Sequence, residues 1–245
     1  MWIMGNLIDF HFHLDYYKDY NDKYNYINKN KIYTLCVTNM PELYEQCVNI
    51  FKCTQYIKFA LGFNPQLVGT ERFNKQLFNK YLHTTKYIGE VGLDYSKEYL
   101  GSKFRQREIF EYICSAVSSQ NKIISIHARN SEEDVLEILI KNKIKSAVFH
   151  WYSGKADLIN EIVSHGYYFS VNHTMTKSKN GQKIIKKIPI SNILVESDGP
   201  FVQINRVSVT PEQLILTYRN LNDMLSVNMV DEVYNNLKKL LINNG

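Results

Sequence analysis

Eight short apolar runs recur along the chain at intervals of about 20 to 35 residues, with stretches of helical character between them. That alternation narrows the possible folds more than any other feature. The runs cover residues 7–11, 32–37, 57–62, 87–91, 123–127, 146–150, 167–171 and 192–195. Most are continuous rather than alternating, as in strands covered on both faces. Between them, 41–52 sets Leu43, Cys47, Val48 and Phe51 at helical spacing, and 103–120 repeats it with Phe104, Phe110, Ile113, Ala116 and Val117. Ser131 is placed to cap a helix carrying Val135, Leu136, Leu139 and Ile140, with Glu132, Glu133 and Asp134 in its first turn. Thr210-Pro211-Glu212 starts another helix, and Ser226 a last one ending near Leu241. The segment 15–31 is polar, tyrosine-rich and poorly periodic, which predicts a short helix there or none. Buried strands alternating with amphipathic helices predict an α/β fold, a TIM (β/α)8-like barrel of parallel strands. No linker, long Gly/Ser/Pro tract or internal repeat divides the chain, so 1–245 reads as one domain.

Composition excludes several classes. No apolar run reaches the roughly 18 residues that a membrane span requires, and the N-terminus lacks the pattern of a signal peptide. The expectation is a soluble, cytoplasmic protein with no membrane partner. Cys36, Cys47, Cys53 and Cys114 show no CxxC spacing and do not make a disulfide framework in a chain of 245 residues. The 29 Lys and Arg against 24 Asp and Glu leave a net charge of +5, mildly favourable to an anionic partner but far from a basic coat.

In such a barrel the C-terminal strand ends form the active face. The first run ends in Asp9-Phe10-His11-Phe12-His13, where residues i and i+2 of an extended strand point the same way and bring two imidazoles together. Later runs end in Glu90, His127, His150 and Asp198. Each has an ordinary explanation alone, as a hydrogen-bonded histidine, a turn residue or a cap before Pro200. Ligand-type side chains at six positions on five strand ends are explained together by one metal cluster.

The motifs around these positions resemble the TatD family of metal-dependent nucleases, a group of metallo-dependent hydrolases with amidohydrolase-like barrels. The matching segments are Asp9-Phe10-His11-Phe12-His13, Gly89-Glu90-Val91-Gly92-Leu93-Asp94-Tyr95, Ile126-His127-Ala128-Arg129, the His150 segment ending in Ser153-Gly154, and Glu196-Ser197-Asp198-Gly199-Pro200. The resemblance implies hydrolysis of DNA phosphodiester bonds, by a 3′–5′ exonuclease, with two divalent ions (zinc, manganese or magnesium). It places His11, His13, Glu90 and Asp198 around one ion, and Glu90, His127 and His150 around a second, with Glu90 bridging. Asp198 is the candidate carboxylate that orients or deprotonates the attacking water. Many relatives carry His-Pro where this chain has Asn64-Pro65; an amide can bind phosphate but is no proton donor comparable to imidazolium. Gly62-Phe63-Asn64-Pro65-Gln66 and the Asp-Gly-Pro ending are closer to the QatD branch, a component of the bacterial Qat anti-phage system, which implies Qat proteins as partners.

Substrate contacts are less determined. Arg129 alternates to the side of His127 and is placed to contact phosphate, or to pair with a helix carboxylate. Trp151, Tyr152, Tyr95 and Phe201 follow candidate ligands and are placed to stack bases or to pack the rim. Lys177, Lys179, Lys183, Lys186 and Lys187 make either a phosphate track or a solvated helix face. His173, after the seventh run, is a candidate pocket-lining residue and not a ligand. Two rivals stand beside the nuclease: a small-molecule hydrolase using the same donors, and a non-catalytic subunit of a defence complex.

Overall fold

The computed structural model describes residues 6–118 and 120–242. Each of the eight runs forms a strand: β1 (Ile8–Phe12), β2 (Tyr33–Val37), β3 (Ile57–Ala60), β4 (Tyr87–Asp94), β5 (Ile123–Arg129), β6 (Ala147–His150), β7 (Tyr168–Val171) and β8 (Ile193–Val195). They pair in parallel as β1-β2-β3 and as β4-β5-β6-β7-β8. Two seams join these sheets. At the first, Leu61 bridges Ile88, with Leu61 N donating to the Tyr87 carbonyl at 3.1 Å and Gly89 N to the Leu61 carbonyl at 3.0 Å. At the second, Asp198 N donates to the His11 carbonyl at 2.9 Å and His13 N to the Gly199 carbonyl at 3.0 Å. The result is the expected α/β barrel of the TIM type, with strands buried on both faces.

Around it run α1 (Tyr20–Lys29), α2 (Pro41–Ile50), α3 (Lys75–Tyr81), α4 (Lys103–Val117), α5 (Glu132–Lys141), α6 (Leu158–Ser164), α7 (His173–Lys177), α8 (Lys179–Lys187), α9 (Leu214–Leu225) and α10 (Met229–Ile242). A two-stranded hairpin, β9 (Gln203–Ile204) with β10 (Val207–Ser208), leaves the connection after β8. No helix among the described residues is long and apolar enough to cross a membrane.

The second seam lacks a strand partner at its lower end, and helices fill the gap. The Tyr218 hydroxyl on α9 accepts from Ile8 N at 3.0 Å and donates to the Ile8 carbonyl at 2.8 Å. Asn236 on α10 donates to the carbonyls of Ile190 and Ile193 at 2.7 and 2.8 Å. Tyr218→Phe leaves both polar groups of a buried residue unpaired and should cost about 1–3 kcal/mol in urea denaturation. A midpoint unchanged from wild type would show that water reaches the seam.

Four local expectations are corrected. The segment 15–31 does hold a ten-residue helix, α1. Its only buried residue is Ile27, and its tyrosines do the packing: the rings of Tyr20 and Tyr24 lie 5.5 and 4.9 Å from that of Phe51. Aromatic packing, not an aliphatic stripe, marks this helix. Phe104 is 83% exposed, because Gln106, Phe110, Ile113 and Val117 form the inward row of α4 and Phe104 falls on the row of Arg107, Glu108 and Glu111. Ser131 precedes α5 without capping it by its side chain: Oγ accepts from Arg129 N at 3.1 Å and donates to the Leu93 carbonyl at 2.7 Å, tying the helix start to β4 and β5. Ser226 ends α9 instead of starting α10, in a left-handed conformation with its N–H on the Asn222 carbonyl.

Candidate metal centre

The six candidate donors converge at the C-terminal ends of the strands. His11 lies on β1 and His13 one residue beyond it, Glu90 on β4, His127 on β5, His150 at the end of β6, and Asp198 in the turn after β8. The Asp198 backbone is left-handed at φ 48°. Its N–H on the His11 carbonyl, and its own carbonyl accepting from Phe201 N and Val202 N, hold that uncommon conformation in place.

Two groups of atoms result. His11 Nε2 and His13 Nε2 are 3.2 Å apart; Glu90 Oε2 and Asp198 Oδ1 each lie 3.8 Å from the first and 3.6 Å from the second. The other oxygen, Glu90 Oε1, is 2.7 Å from His127 Nδ1 and 3.0 Å from His150 Nε2, which are 3.3 Å from each other. Donors 2.0–2.1 Å from a tetrahedral ion are about 3.3 Å apart, so this is ligand spacing. A third combination, His11, His150 and Glu196, also meets within ligand distances.

Charge supports the same conclusion. Asp9, Glu90, Asp94, Glu196 and Asp198 are all buried, and no Lys or Arg is buried among the described residues. Burial, with Glu196, Glu90 and Asp9 adding to it, pushes the Asp198 carboxyl well above the usual range despite His150; its Oδ1 has no hydrogen-bond partner. Burial lowers His11 to about 4 and His13 to about 3, keeping both imidazoles neutral and able to ligate. For Glu90 burial opposes ionisation, but the neighbouring imidazoles of His11, His127 and His150, the last two within hydrogen-bond distance, outweigh it and hold the group well below its ordinary value. Buried carboxylates without basic partners fit divalent cations.

Several residues that the sequence did not single out complete the arrangement. Ser125 Oγ sits 2.8 Å from His11 Nδ1, so Nε2 is left facing the donors. Asp94 Oδ2 is 2.9 Å from His127 Nε2 and also accepts from Gln66 Nε2 at 2.9 Å. Glu196 accepts from Asn172 Nδ2 and Trp151 N, each at 3.0 Å, and from the Ser170 hydroxyl. Asp94 was visible as a carboxylate four residues beyond Glu90 on the same strand, and Glu196 as one two residues before Asp198. Their partners come from other strands and could not be read from spacing.

The candidate substrate residues divide. Arg129 and Trp151 line a cavity of about 300 Å3 together with His127 and His150. Asn64 is buried and its amide is spent: Nδ2 donates to Glu90 Oε2 at 2.8 Å and to Asn39 Oδ1 at 3.4 Å, and Oδ1 accepts from Gln66 N at 2.8 Å, which leaves no donor for phosphate. Tyr95 turns to a neighbouring cavity, where its hydroxyl donates to Asp134 at 2.7 Å and the Lys103 ammonium lies 4.2 Å from its ring. Tyr152 is core, packed on Phe149 and Phe169. His173 begins α7 and its Nδ1 meets Asn220 Nδ2 of α9 at 3.3 Å, away from the donor cluster's hydrogen bonds. Of the lysines, Lys177 donates to Asn220 and Lys187 pairs with Asp157, the pattern of a solvated helix face.

A parallel α/β barrel with imidazoles and carboxylates gathered at its C-terminal strand ends is the architecture of metallo-dependent hydrolases. The family model for TatD related DNase matches residues 8–242, and the chain belongs to that family. It is 29% identical over 151 residues to an uncharacterized metal-dependent hydrolase of Methanocaldococcus jannaschii, covering 60% of this chain and 58% of that one. It is 26% identical over 170 residues to the deoxyribonuclease Tat-D of Schizosaccharomyces pombe, covering 66% and 53%. The chain spans about half the length of the curated relatives it matches. The crystal structure of the TatD homologue YJJV from Escherichia coli superposes with a TM-score of 0.82 over 96% of this chain and 97% of that one, at 18% identity, a likeness of fold.

Proposed function

We propose that the protein is a divalent-metal-dependent hydrolase of DNA phosphodiester bonds. The observation that carries this reading is the division of Glu90: Oε2 lies 3.8 and 3.6 Å from Nε2 of His11 and His13, and Oε1 lies 2.7 and 3.0 Å from His127 Nδ1 and His150 Nε2. Two divalent ions held there, zinc, manganese or magnesium, would polarise a phosphoryl group and activate water. Glu90 sets the separation of the two donor groups. Asp198, in the same donor group, would orient the attacking water or take its proton. The Arg129 guanidinium makes no hydrogen bond or ion pair among the described residues and is free to take a phosphate oxygen in the cavity beside His127.

Protein stripped by chelator should cleave neither single- nor double-stranded DNA, and added manganese, magnesium or zinc should restore cleavage. Chelator-resistant cleavage would contradict the reading. Asp94 fixes the ring that presents Nδ1 of His127, so Asp94→Asn should weaken metal binding about 10- to 100-fold in a calorimetric titration, without unfolding the barrel. Affinity equal to wild type would remove Asp94 from the site.

The finer assignment, a cytoplasmic 3′–5′ exonuclease acting with Qat partners in anti-phage defence, is supported by family resemblance and by the Asn64-Pro65 and Asp-Gly-Pro segments. Phage resistance in cells carrying the complete system should disappear with Glu90→Ala. Resistance that persists would favour the non-catalytic subunit.

A further inference from the structure

We infer that Tyr16 and Phe201 form a stacking platform for one unpaired nucleobase of a single-stranded substrate, beside the phosphate to be cleaved; this rests on the nuclease reading above. Tyr16 ends the short turn after β1, and Phe201 follows Asp198 in the connection after β8. Their rings meet edge to face at 5.2 Å, and both lean on the imidazole of His13, at 5.5 and 4.9 Å. Even so, Tyr16 is 46% and Phe201 49% exposed, whereas the His13 side chain that they flank is 1% exposed. Two aromatic rings that shield a donor and leave half their own surface to water present an apolar π-face at the mouth of the site, the surface on which bases stack whatever their identity.

The platform is held in place by the centre itself. The Tyr16 hydroxyl accepts from Asn39 Nδ2 at 2.8 Å, Asn39 Oδ1 accepts from Asn64 Nδ2 at 3.4 Å, and Asn64 donates to Glu90. The same amides that orient the central carboxylate therefore orient the ring. On the other side of Glu90 lies the cavity of about 300 Å3 with Arg129 and Trp151. That volume is at the low end for ligand sites and takes one nucleotide, not a duplex. A strand with its base on Tyr16 and Phe201 and its backbone running toward Arg129 passes over both donor groups.

The test compares thymidine oligonucleotides with abasic oligonucleotides of the same length, using the manganese-loaded protein. Phe201→Ala should raise KM for the thymidine strand about 10-fold and leave KM for the abasic strand within about twofold, any change in kcat being the same for both strands. Phe201→Leu keeps an apolar side chain without a π-face and should behave like Phe201→Ala; Phe201→Trp should restore the wild-type KM. Equal losses on both substrates, or wild-type KM in Phe201→Leu, would overturn the platform. If metal-loaded wild type cleaves neither strand, the nuclease reading fails and the platform is judged by fluorescence anisotropy. Weaker binding of the thymidine strand alone in Phe201→Leu then supports it, and unaltered binding overturns it.

Discussion

Glu90→Ala should lower metal-dependent cleavage by about 10^3-fold or more while the barrel stays folded. The size of the effect follows from the position of one carboxylate. Its two oxygens are within 2.7–3.8 Å of His11, His13, His127 and His150, so its removal separates two donor groups at once. It also takes a negative charge from the buried cluster, leaving less ligand charge to offset the mutual repulsion of two cations held close together. Circular dichroism and a thermal melt of the metal-free variant would establish that the fold persists. Glu90→Gln keeps the shape and loses the charge, and should be nearly as inactive. Activity within tenfold of wild type in both variants would remove Glu90 from the centre.

Gly92→Ala should have the opposite signature, a loss of fold. Gly92 pairs with His127 across β4 and β5, and its φ is 144°, a conformation that L side chains rarely adopt. A Cβ there would lie 1.9 Å from the His127 carbonyl oxygen and 2.9 Å from its carbonyl carbon. Backbone atoms in the middle of a sheet cannot move aside as a flexible side chain can, so the two strands would have to part. We expect a cost of about 3 kcal/mol or more, seen as a melting temperature lower by roughly 6–12 °C or as insoluble expression. The same displacement would carry His127 away from Glu90, so any folded fraction should bind metal poorly. A melt coincident with wild type would show that β4 and β5 are less closely locked than their register indicates.

The parts of the molecule legible in the sequence are those set by local pattern. Continuous apolar runs are strands buried on both faces, and all eight occur within a few residues of their expected bounds. Once the barrel is drawn, its topology brings His11, His13, Glu90, His127, His150 and Asp198 to one end, which is why their convergence could be anticipated from their places at strand ends. The parts that escaped depend on partners distant in the chain. Asn64 follows a strand, as a substrate-facing residue would, yet its amide turns inward because Glu90, 26 residues away, offers an acceptor. Tyr95 follows Asp94 but is drawn aside by Asp134 and Lys103. Tyr16 is indistinct within a polar, tyrosine-rich segment, because its place is set by Phe201 across the barrel's closing seam. Helix α1 was obscured for a related reason, since aromatic packing on Phe51 replaces the aliphatic stripe that marks most amphipathic helices.

The most direct test of the two-ion centre is anomalous diffraction from crystals of the protein grown with manganese. Two peaks should appear, one among His11, His13 and Asp198 and the other among His127 and His150, with Glu90 reaching both. A single peak, or none at these donors while the crystals' protein still cleaves DNA with manganese, would contradict the account.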